Sequence, residues 1–290
     1  MKLVTFDDGT RRIGLLDGDA VVDLQAVAPT LPTEMCAFLA AGEEAMQAAR
    51  RALSAGGSRL PLSSVRLAAP VVRPPKILAV GLNYRDHAEE AGMEIPKVPM
   101  IFNKQSTCAH PPIEPFHVPR ASHRVDYEGE LAFVIGKACR HVPKDRAAEV
   151  IAGYTICNDV SVRDWQLRVP TFTMGKSFDT HGPMGPAIVT ADELGDPHDL
   201  DIRTWVNGDL RQSSNTKHLI FDCFSLVEHL STAFTLEPGD VISTGTPSGI
   251  AGAMKPPQWL VPGDVVKIAI DGIGELENGV VAEPEDTARF

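Results

Sequence analysis

The sequence has little cysteine, no long apolar run and no excess of positive charge. Its five cysteines are odd in number, widely scattered and never form a C-x-x-C pair, so neither a disulfide framework nor a zinc knuckle is expected. No stretch reaches the roughly 18 uninterrupted apolar residues that a membrane helix needs. The amino end also lacks a basic or apolar targeting segment. We therefore expect a cytoplasmic protein with no membrane partner.

The net charge of −11 argues against a nucleic-acid partner, because such proteins use basic patches to displace counterions from phosphates. An anionic small molecule would need local cations, which a bound metal and a few arginines would supply. With 290 residues, of which 43% are hydrophobic and 22% charged, the chain has the composition of a globular protein. This length predicts one large domain and one small one.

Residues 1–70 are predicted to form a small amino-terminal α+β domain. Turn formers separate three short strands over 2–6, 12–16 and 20–23, and a helix is expected over 35–53. A proline-rich stretch follows, in which neither a helix nor a central strand can continue. We place the domain boundary in this stretch, which contains Pro61, Pro70, Pro74 and Pro75.

Residues 71–290 are dominated by predicted strands and form the second domain. Helices are fewer, with one expected over 84–91 and one over 144–152, after Pro143. Two Pro-Gly-Asp turns each precede an apolar strand. The predicted fold class is therefore α+β and β-rich, with a roll-like body. The strands are expected over 77–80, 127–135, 155–158, 188–190, 203–206, 241–243 and 265–270.

A cluster of acidic residues lies on one of these strands. Because strand residues alternate sides, Asp126, Glu128 and Glu130 share one face, while Tyr127, Leu131 and Phe133 share the other. Like charges that are close together and partly buried repel each other by several kcal/mol. A proton, an arginine or a metal cation must compensate them.

A third carboxylate, Asp159, ends the strand that follows the predicted 144–152 helix. If this strand pairs with the first, Asp159 joins Glu128 and Glu130 in one pocket. Such an all-oxygen set favours Mg²⁺ or Mn²⁺ over structural zinc. The alternative is a solvated acidic strand neutralised by arginine, with Arg120, Arg124 and Arg163 as the candidates. Spacing alone does not decide between them.

His87 and Glu90 are candidate acid/base residues. Their i, i+3 spacing places them on one face of a helix, where the carboxylate can orient the imidazole. Such a pair can deprotonate water. An exposed helical pair without a chemical role has the same spacing. The glycines on either side, Gly81 and Gly92, suit the hinges of a lid.

Five motifs, in order and spacing, resemble the fumarylacetoacetate hydrolase family. Three of them are Asn83-Tyr84-x-x-His87-x-x-Glu90, Tyr127-Glu128-x-Glu130-Leu131 and Asn158-Asp159-x-x-x-Arg163-Asp164-x-Gln166. The other two are Gly175-Lys176-Ser177-Phe178-Asp179 with Gly182-Pro183, and Ser243-Thr244-Gly245-Thr246-Pro247-x-Gly249. The resemblance covers residues 76–281, and the first seventy residues resemble the short amino-terminal domain of many members.

The resemblance implies a mixed β-roll, a homodimer, and Mg²⁺ or Mn²⁺ on Glu128, Glu130 and Asp159. It also implies that His87 and Glu90 lie on a lid over the substrate. Four matching positions would face the substrate or stabilise an enolate: Lys176, Gln166, Arg163 and Thr246. Tyr84 is a further candidate substrate contact. Arg168 either pairs with a distal carboxylate or is simply exposed.

The expected activity is metal-dependent hydrolysis of a C–C bond in a 2,4-dioxo acid, an acylpyruvate-like substrate. His87 and Glu90 would activate water, and Lys176 would stabilise the pyruvate enolate as a point charge. The resemblance leaves decarboxylation of an oxaloacetate-like acid and isomerisation or hydration of an unsaturated 2-oxo acid open. A different class of function is a catalytically silent protein that only binds the metal and a 2-oxo acid.

Overall fold

The computed structural model describes residues 1–55, 57–90 and 92–288. The first part of the chain forms short strands around three helices, and the three amino-terminal strands lie where the sequence predicts them. The strands are β1 (Lys2–Asp7), β2 (Arg11–Asp17), β3 (Ala20–Asp23), β4 (Arg59–Pro61) and β5 (Arg66–Leu67). The helices are α1 (Leu24–Val27), α2 (Met35–Ala40) and α3 (Gly42–Ser54).

The prediction of one helix over 35–53 is wrong, because the chain breaks it into α2 and α3. Gly42 has a φ of 71°, in the left-handed region, which interrupts the helical hydrogen-bond ladder. The alanine-rich composition predicted the helical state of both segments. It did not reveal the turn between them.

The remainder of the chain is rich in strands, which confirms the predicted α+β, β-rich class. Its strands are β6 (Ile77–Gly81), β7 (Met100–Lys104), β8 (Ala109–His110), β9 (Phe116–Val118), β10 (Val125–Asp126), β11 (Gly129–Ile135), β12 (Ile151–Asn158), β13 (Ser161–Val162), β14 (Gly182–Thr190), β15 (Asp201–Val206), β16 (Asp209–Asn215), β17 (Val241–Ser243), β18 (Val265–Ile270) and β19 (Gly274–Ala282). Its helices are α4 (Arg85–Glu90), α5 (Arg163–Gln166), α6 (Thr173–Lys176), α7 (Ala191–Leu194) and α8 (Cys223–Ala233). Short 3₁₀ turns connect several of these elements.

One of the two helix predictions in this part is wrong. The segment predicted as a helix over 144–152 is a 3₁₀ turn over Lys144–Val150, because Ile151 already pairs with Ile135 in the sheet. The helix predicted over 84–91 is α4, Arg85–Glu90, and its predicted end at residue 91 lies outside the described residues. None of the described helices is long and apolar enough to cross a membrane.

The largest sheet has 12 strands, and its main path runs β4-β3-β2-β1-β14-β12-β11-β17-β6-β7. Strand β1 pairs antiparallel with β14, opposite Val189 and Ile188. One sheet therefore continues across the domain boundary predicted near residue 70. The proline-rich stretch connects strands of this sheet, and one apolar cluster combines Leu3 and Phe38 with Val134 and Ile188.

The central strands β11 and β12 are buried on both faces. Leu131 and Phe133 pack toward the second sheet, β16-β15-β18-β19-β9, and toward α8, whereas Ala132 and Val134 pack toward the amino-terminal helices. This alternation confirms the predicted division of side chains along the strand. Glu130 belongs to the same buried strand, so its carboxylate is held by a rigid element.

The loop after α6 contains a buried histidine that gives a testable pH dependence. His181 is fully buried between Phe116 and Phe178, and its Nε2 donates to the carbonyl of His117 at 2.7 Å. Burial, the main cause, lowers the pKa of His181 from 6.5 to about 3. Below pH 6.5 the unfolded chain therefore binds a proton that the folded protein excludes.

Stability is thus expected to fall as the pH decreases from 6.5 towards 3, by up to about 1.4 kcal/mol per pH unit from this residue. His181→Phe should flatten this slope, although it removes one hydrogen bond. Urea unfolding at a series of pH values measures the effect, with His218→Asn at an exposed position as the control. An unchanged slope in His181→Phe would refute this assignment.

Candidate active site

Three carboxylates meet at one end of the β11–β12 pair. These strands are antiparallel, with Gly129 opposite Asn158, so the residues that flank them, Glu128 and Asp159, become neighbours. The amide of Asp159 donates to the carbonyl of Glu128 at 2.9 Å. Oxygen atoms of Glu128, Glu130 and Asp159 lie within 4.8 Å of one another, and all three residues are buried. The strand pairing that the sequence analysis required for this grouping is present.

Lys176 and Arg163 neutralise part of this charge. Lys176 Nζ lies 2.7 Å from Glu128 Oε2 and 2.8 Å from Asp159 Oδ2. Arg163 binds Glu128 Oε1 at 2.7 Å through one nitrogen and Asp126 at 2.8 Å through another. Burial alone would raise the pKa of Glu128, but Lys176 and Arg163 outweigh it and lower the pKa to about 2.

Lys104 is the site residue that the sequence reasoning missed. It is buried at the end of β7, and its Nζ donates to Asp159 Oδ1 at 2.6 Å and to the carbonyl of Lys176. The sequence contained one signal for Lys104, the alternation of side chains along a strand. Lys104 lies on the same face of β7 as the buried Phe102. A lysine on the inward face of an apolar strand indicates a buried counter-ion.

Glu130 is held by the turn that follows β17. Its Oε2 accepts from Ser243 Oγ at 2.6 Å and from the Gly245 amide at 2.8 Å. Gly245 has a φ of 101°, and a Cβ there would lie 2.8 Å from the Cβ of Asn83. Glycine is therefore required for the turn to reach both Glu130 and the start of α4.

The donor set fits a divalent cation. Burial, and then the charges of Asp159 and Glu128, raise the pKa of Glu130 well above its ordinary value. The ionised form of Glu130 is therefore unfavourable unless a proton or another cation neutralises it. Three buried carboxylates whose oxygen atoms lie close together are the kind of ligands that hard divalent ions prefer. A divalent ion would be held by Glu128, Glu130 and Asp159.

His87 and Glu90 form a pair on α4, as predicted. His87 Nδ1 lies 3.2 Å from Glu90 Oε2, and Glu90 Oε1 accepts from the Gly249 amide at 2.9 Å. Because Nδ1 faces Glu90, Nε2 is the ring nitrogen left for a ligand. Asn83 anchors the start of the helix, since its side chain bonds to the carbonyls of Phe221 and Thr244.

A cavity of about 320 Å³ lies beside the carboxylate cluster and helix α4. Six of the predicted site residues line it: His87, Glu128, Arg163, Gln166, Lys176 and Thr246. Gln166 accepts from Arg163 at 2.9 Å, and Thr246 donates to the carbonyl of Gly129 at 3.0 Å. The geometry therefore brings His87, Lys176 and one of the three carboxylates to a common space, whereas Glu90, Glu130 and Asp159 do not line the cavity themselves.

The structure places two predicted substrate contacts elsewhere. Tyr84 is fully buried and is not among the residues that line the cavity. Arg168 stacks on the ring of Trp165, with its guanidinium carbon 3.9 Å from the ring centroid, and does not line the cavity. Arg168 is half exposed, as the alternative in the sequence analysis allowed.

Lys176 is held in position by tight packing between α5 and α6. A Cβ on Gly175 would lie 2.2 Å from the backbone nitrogen of Gln166, so only glycine permits this contact. Phe172 precedes α6 with a φ of 62°. The two short helices thus place Gln166 and Lys176 beside each other at the cavity.

Comparison with known proteins identifies the family. Residues 76–281 match the model of the fumarylacetoacetate (FAA) hydrolase C-terminal family. An oxaloacetate tautomerase of Xenopus laevis, named as mitochondrial, is 45% identical over 97% of this chain and 90% of its own length.

Among solved structures, maleylpyruvate hydrolase of Sphingobium sp., in complex with manganese(II) and pyruvate, is 35% identical, with a TM-score of 0.83 over 98% of this chain and 100% of that one. A 5-carboxymethyl-2-hydroxymuconate delta-isomerase of Mycobacterium smegmatis is 38% identical, with a TM-score of 0.78 over the same shares. These relatives bear the names of different reactions, and one of the solved structures contains a divalent metal. The chain belongs to the fumarylacetoacetate hydrolase family.

Proposed function

We propose that this protein is a divalent-metal-dependent enzyme that interconverts the keto and enol forms of oxaloacetate or a closely similar 2-oxo acid. The observation that carries the proposal is the position of Lys176. Its buried ammonium group touches Glu128 and Asp159 and lines the same cavity as His87. Negative charge that develops on a substrate oxygen at this point would be stabilised strongly, because the ammonium group is buried and held in place by two carboxylates.

Each residue at the cavity has a separate role in this reaction. Arg163 and Gln166, which are bonded to each other, orient the substrate carboxylate. The proton at C3 passes to Nε2 of His87, the C–H electron pair forms the enolate, and Lys176 stabilises its oxygen. His87 then returns the proton to that oxygen, which gives the enol, while Glu90 stabilises the imidazolium. A bound divalent ion would polarise the 2-oxo group as a Lewis acid.

Hydrolysis of a 2,4-dioxo acid is the second candidate. The fixed geometry of His87 and Glu90 supports it, because Nε2 of His87 suits a water molecule as well as a C–H group. Water attack on the 4-oxo carbon would break the C3–C4 bond and leave pyruvate enolate beside Lys176. The similarity to maleylpyruvate hydrolase supports this candidate, whereas the similarity to oxaloacetate tautomerases supports the first.

The decisive experiment follows the ultraviolet absorbance of enol-oxaloacetate and of acetylpyruvate with the Mg²⁺-loaded protein. Mass spectrometry of the products separates hydrolysis and decarboxylation, which change the mass of the acid, from tautomerisation, which does not. Accelerated equilibration of oxaloacetate without loss of carbon supports the proposal. No acceleration with any of these acids would indicate a protein that only binds metal and 2-oxo acids.

Replacement of Glu90 by Gln is expected to lower turnover by about 100-fold or more, because the imidazole loses its charge-stabilising partner. Metal affinity should not change, since Glu90 is not one of the three clustered carboxylates. The matched control is Glu89→Gln, an exposed neighbour on α4. Steady-state kinetics and metal calorimetry measure the two effects, and equal turnover in both variants would contradict the assigned role.

Three further properties are part of the proposal. Mg²⁺ and Mn²⁺ are the ions that the all-oxygen donor set favours. The family resemblance supports a homodimer. A cytoplasmic location is our expectation from the sequence, although relatives at 43–45% identity are named as mitochondrial.

A further inference from the structure

A further buried carboxylate, that of Asp126, contacts the site and takes part in no step of the proposed reaction. It is fully buried at the end of β10 and does not belong to the cluster of three carboxylates. Its Oδ2 accepts from Arg163 Nε at 2.8 Å and from the Gly252 amide at 2.9 Å. Its Oδ1 accepts from the amides of Ala251 at 2.8 Å and of Tyr127 at 2.9 Å. These four donors use the accepting capacity of the whole carboxylate.

The guanidinium group of Arg163 is fixed from three directions. Asp126 holds Nε, Glu128 Oε1 lies 2.7 Å from one terminal nitrogen, and Gln166 Oε1 accepts from the other at 2.9 Å. Glu128 and Gln166 line the cavity, whereas Asp126 is not among its lining residues. Because the guanidinium group is planar, the bond of Asp126 to Nε sets the direction in which the two terminal nitrogens point.

Two of the four donors belong to residues 249–252, a segment that passes along the wall of the cavity. Ile250 and Gly252 of this segment are lining residues. A Cβ on Gly252 would lie 3.2 Å from Asp126 Oδ2, so the backbone of the segment is packed directly against the carboxylate. A shift of Asp126 would therefore displace this part of the wall.

The other end of the 249–252 segment carries the contact with Glu90. The Gly249 amide donates to Glu90 Oε1 at 2.9 Å, and the Gly249 carbonyl accepts from the hydroxyl of Tyr127 at 2.8 Å. A single residue separates Gly249 from the first amide that Asp126 holds. Displacement of that amide therefore reaches the contact with Glu90.

We propose that Asp126 is a positioning residue, which holds Arg163 and the 249–252 segment in one fixed arrangement. The substrate carboxylate at Arg163 and the contact of Glu90 with Gly249 are thereby set together. The inference rests on the proposed function for the roles of Arg163 and Glu90 and adds a residue that acts through both. Asparagine cannot replace Asp126, because both of its oxygens accept from N–H donors. Either orientation of the amide would turn its NH₂ group against two of these donors.

The first test is hydrogen exchange in Asp126→Asn, measured on the full-length, Mg²⁺-loaded protein and resolved to single amides by NMR. Exchange is expected to accelerate about tenfold or more at Gly249 as well as at Ala251 and Gly252. Gly249 is the informative amide, because its acceptor is Glu90 and not Asp126. A role confined to local stability would change only the amides that Asp126 itself binds.

The second test is calorimetric binding of pyruvate, the simplest 2-oxo acid, to the same protein. The dissociation constant is expected to rise about tenfold in Asp126→Asn, as for the loss of one hydrogen bond to a charged group. Asp126→Ser is a milder second variant, because a hydroxyl group accepts a hydrogen bond and has no NH₂ group to oppose the donors. It should change both exchange and affinity in the same direction.

Asp23→Asn is the matched control. The Asp23 carboxylate is also buried and accepts from Arg12 Nε at 3.0 Å and from the amides of Gln25 and Ala26, but it does not line the cavity. This variant should lower the melting temperature without changing pyruvate binding or exchange at Gly249. Equal effects of the two Asn variants would mean general destabilisation and overturn the proposal.

The outcomes separate this inference from the proposed reaction. Unchanged exchange at Gly249, or unchanged pyruvate affinity, in both Asp126 variants overturns the positioning role even if oxaloacetate is tautomerised. Both shifts, in a protein without tautomerase activity, support the positioning role and refute the proposed reaction. A wild-type protein that does not bind pyruvate refutes the 2-oxo acid site and, with it, the role of Asp126 towards Arg163. Loss of the folded state in both variants, detected by circular dichroism, would assign Asp126 to folding and overturn the positioning role as well.

Discussion

Removal of divalent ions with EDTA is expected to abolish turnover, and addition of Mg²⁺ or Mn²⁺ to restore it. Without the ion, the three clustered carboxylates offer no Lewis acid to polarise the 2-oxo group of the substrate. A Lewis-acid metal contributes several kcal/mol to the stabilisation of transition-state charge. The expected loss is therefore about 1,000-fold or more. Activity assays before and after readdition measure it.

Calorimetric titration of the metal-free protein provides the second readout. Asp159→Asn should weaken Mg²⁺ binding strongly, because it removes one of three charged ligands, whereas Glu149→Gln at the surface should leave it unchanged. Full activity after exhaustive chelation, with no metal in the sample by elemental analysis, would eliminate the metal from the mechanism. Loss of activity without recovery on readdition would point to irreversible unfolding, which circular dichroism detects.

Replacement of Lys176 by Met is expected to lower turnover by about 100- to 1,000-fold, as for other preorganised groups that stabilise an oxyanion. The ammonium group lies at the cavity, where the enolate charge is proposed to develop, and methionine keeps the length of the side chain without its charge. Metal binding should be retained, because Lys176 competes with the ion for oxygens of Glu128 and Asp159. Kinetics and metal calorimetry on one preparation test both statements.

The control is Lys217→Met, which removes an exposed lysine far from the site in sequence. Thermal unfolding of the metal-loaded variants separates a catalytic effect from a folding defect. If Lys176→Met keeps wild-type turnover, Lys176 has only a structural role. If metal binding is lost as well, Lys176 positions the carboxylates, and its proposed role towards the substrate is unsupported.

Local patterns predicted most elements of the fold, because their signals lie within a few residues. Strands β17 and β18 each begin directly after a Pro-Gly-Asp turn, where an apolar run starts. The same reasoning failed for residues 144–152, where pairing of Ile151 with Ile135 overrides a helical composition. It also left β7, β16, β19 and α8 unassigned. For α8 the local signal was present but was not used, because its buried residues recur at helical spacing after the N-cap Asp222.

The carboxylates and the acid/base pair were visible in the sequence because strand and helix periods are fixed by backbone geometry. Period two put Glu128 and Glu130 on one side of the strand, and the i, i+3 spacing put His87 beside Glu90. These inferences needed only the local element. The contact of Asp159 with them needed, in addition, the antiparallel pairing of β11 with β12.

The sequence alone thus determined the types of residue, their faces on each element and the family. Only the tertiary structure decided which cations pair with the carboxylates. It brings Lys104 to Asp159 across 55 positions of sequence and Lys176 to Glu128 across 48. It also placed Tyr84 and Arg168 outside the cavity and Phe172 among the residues that line it. The physical reason is that ion pairing and cavity shape depend on distances between elements, and these are set by packing rather than by local periodicity.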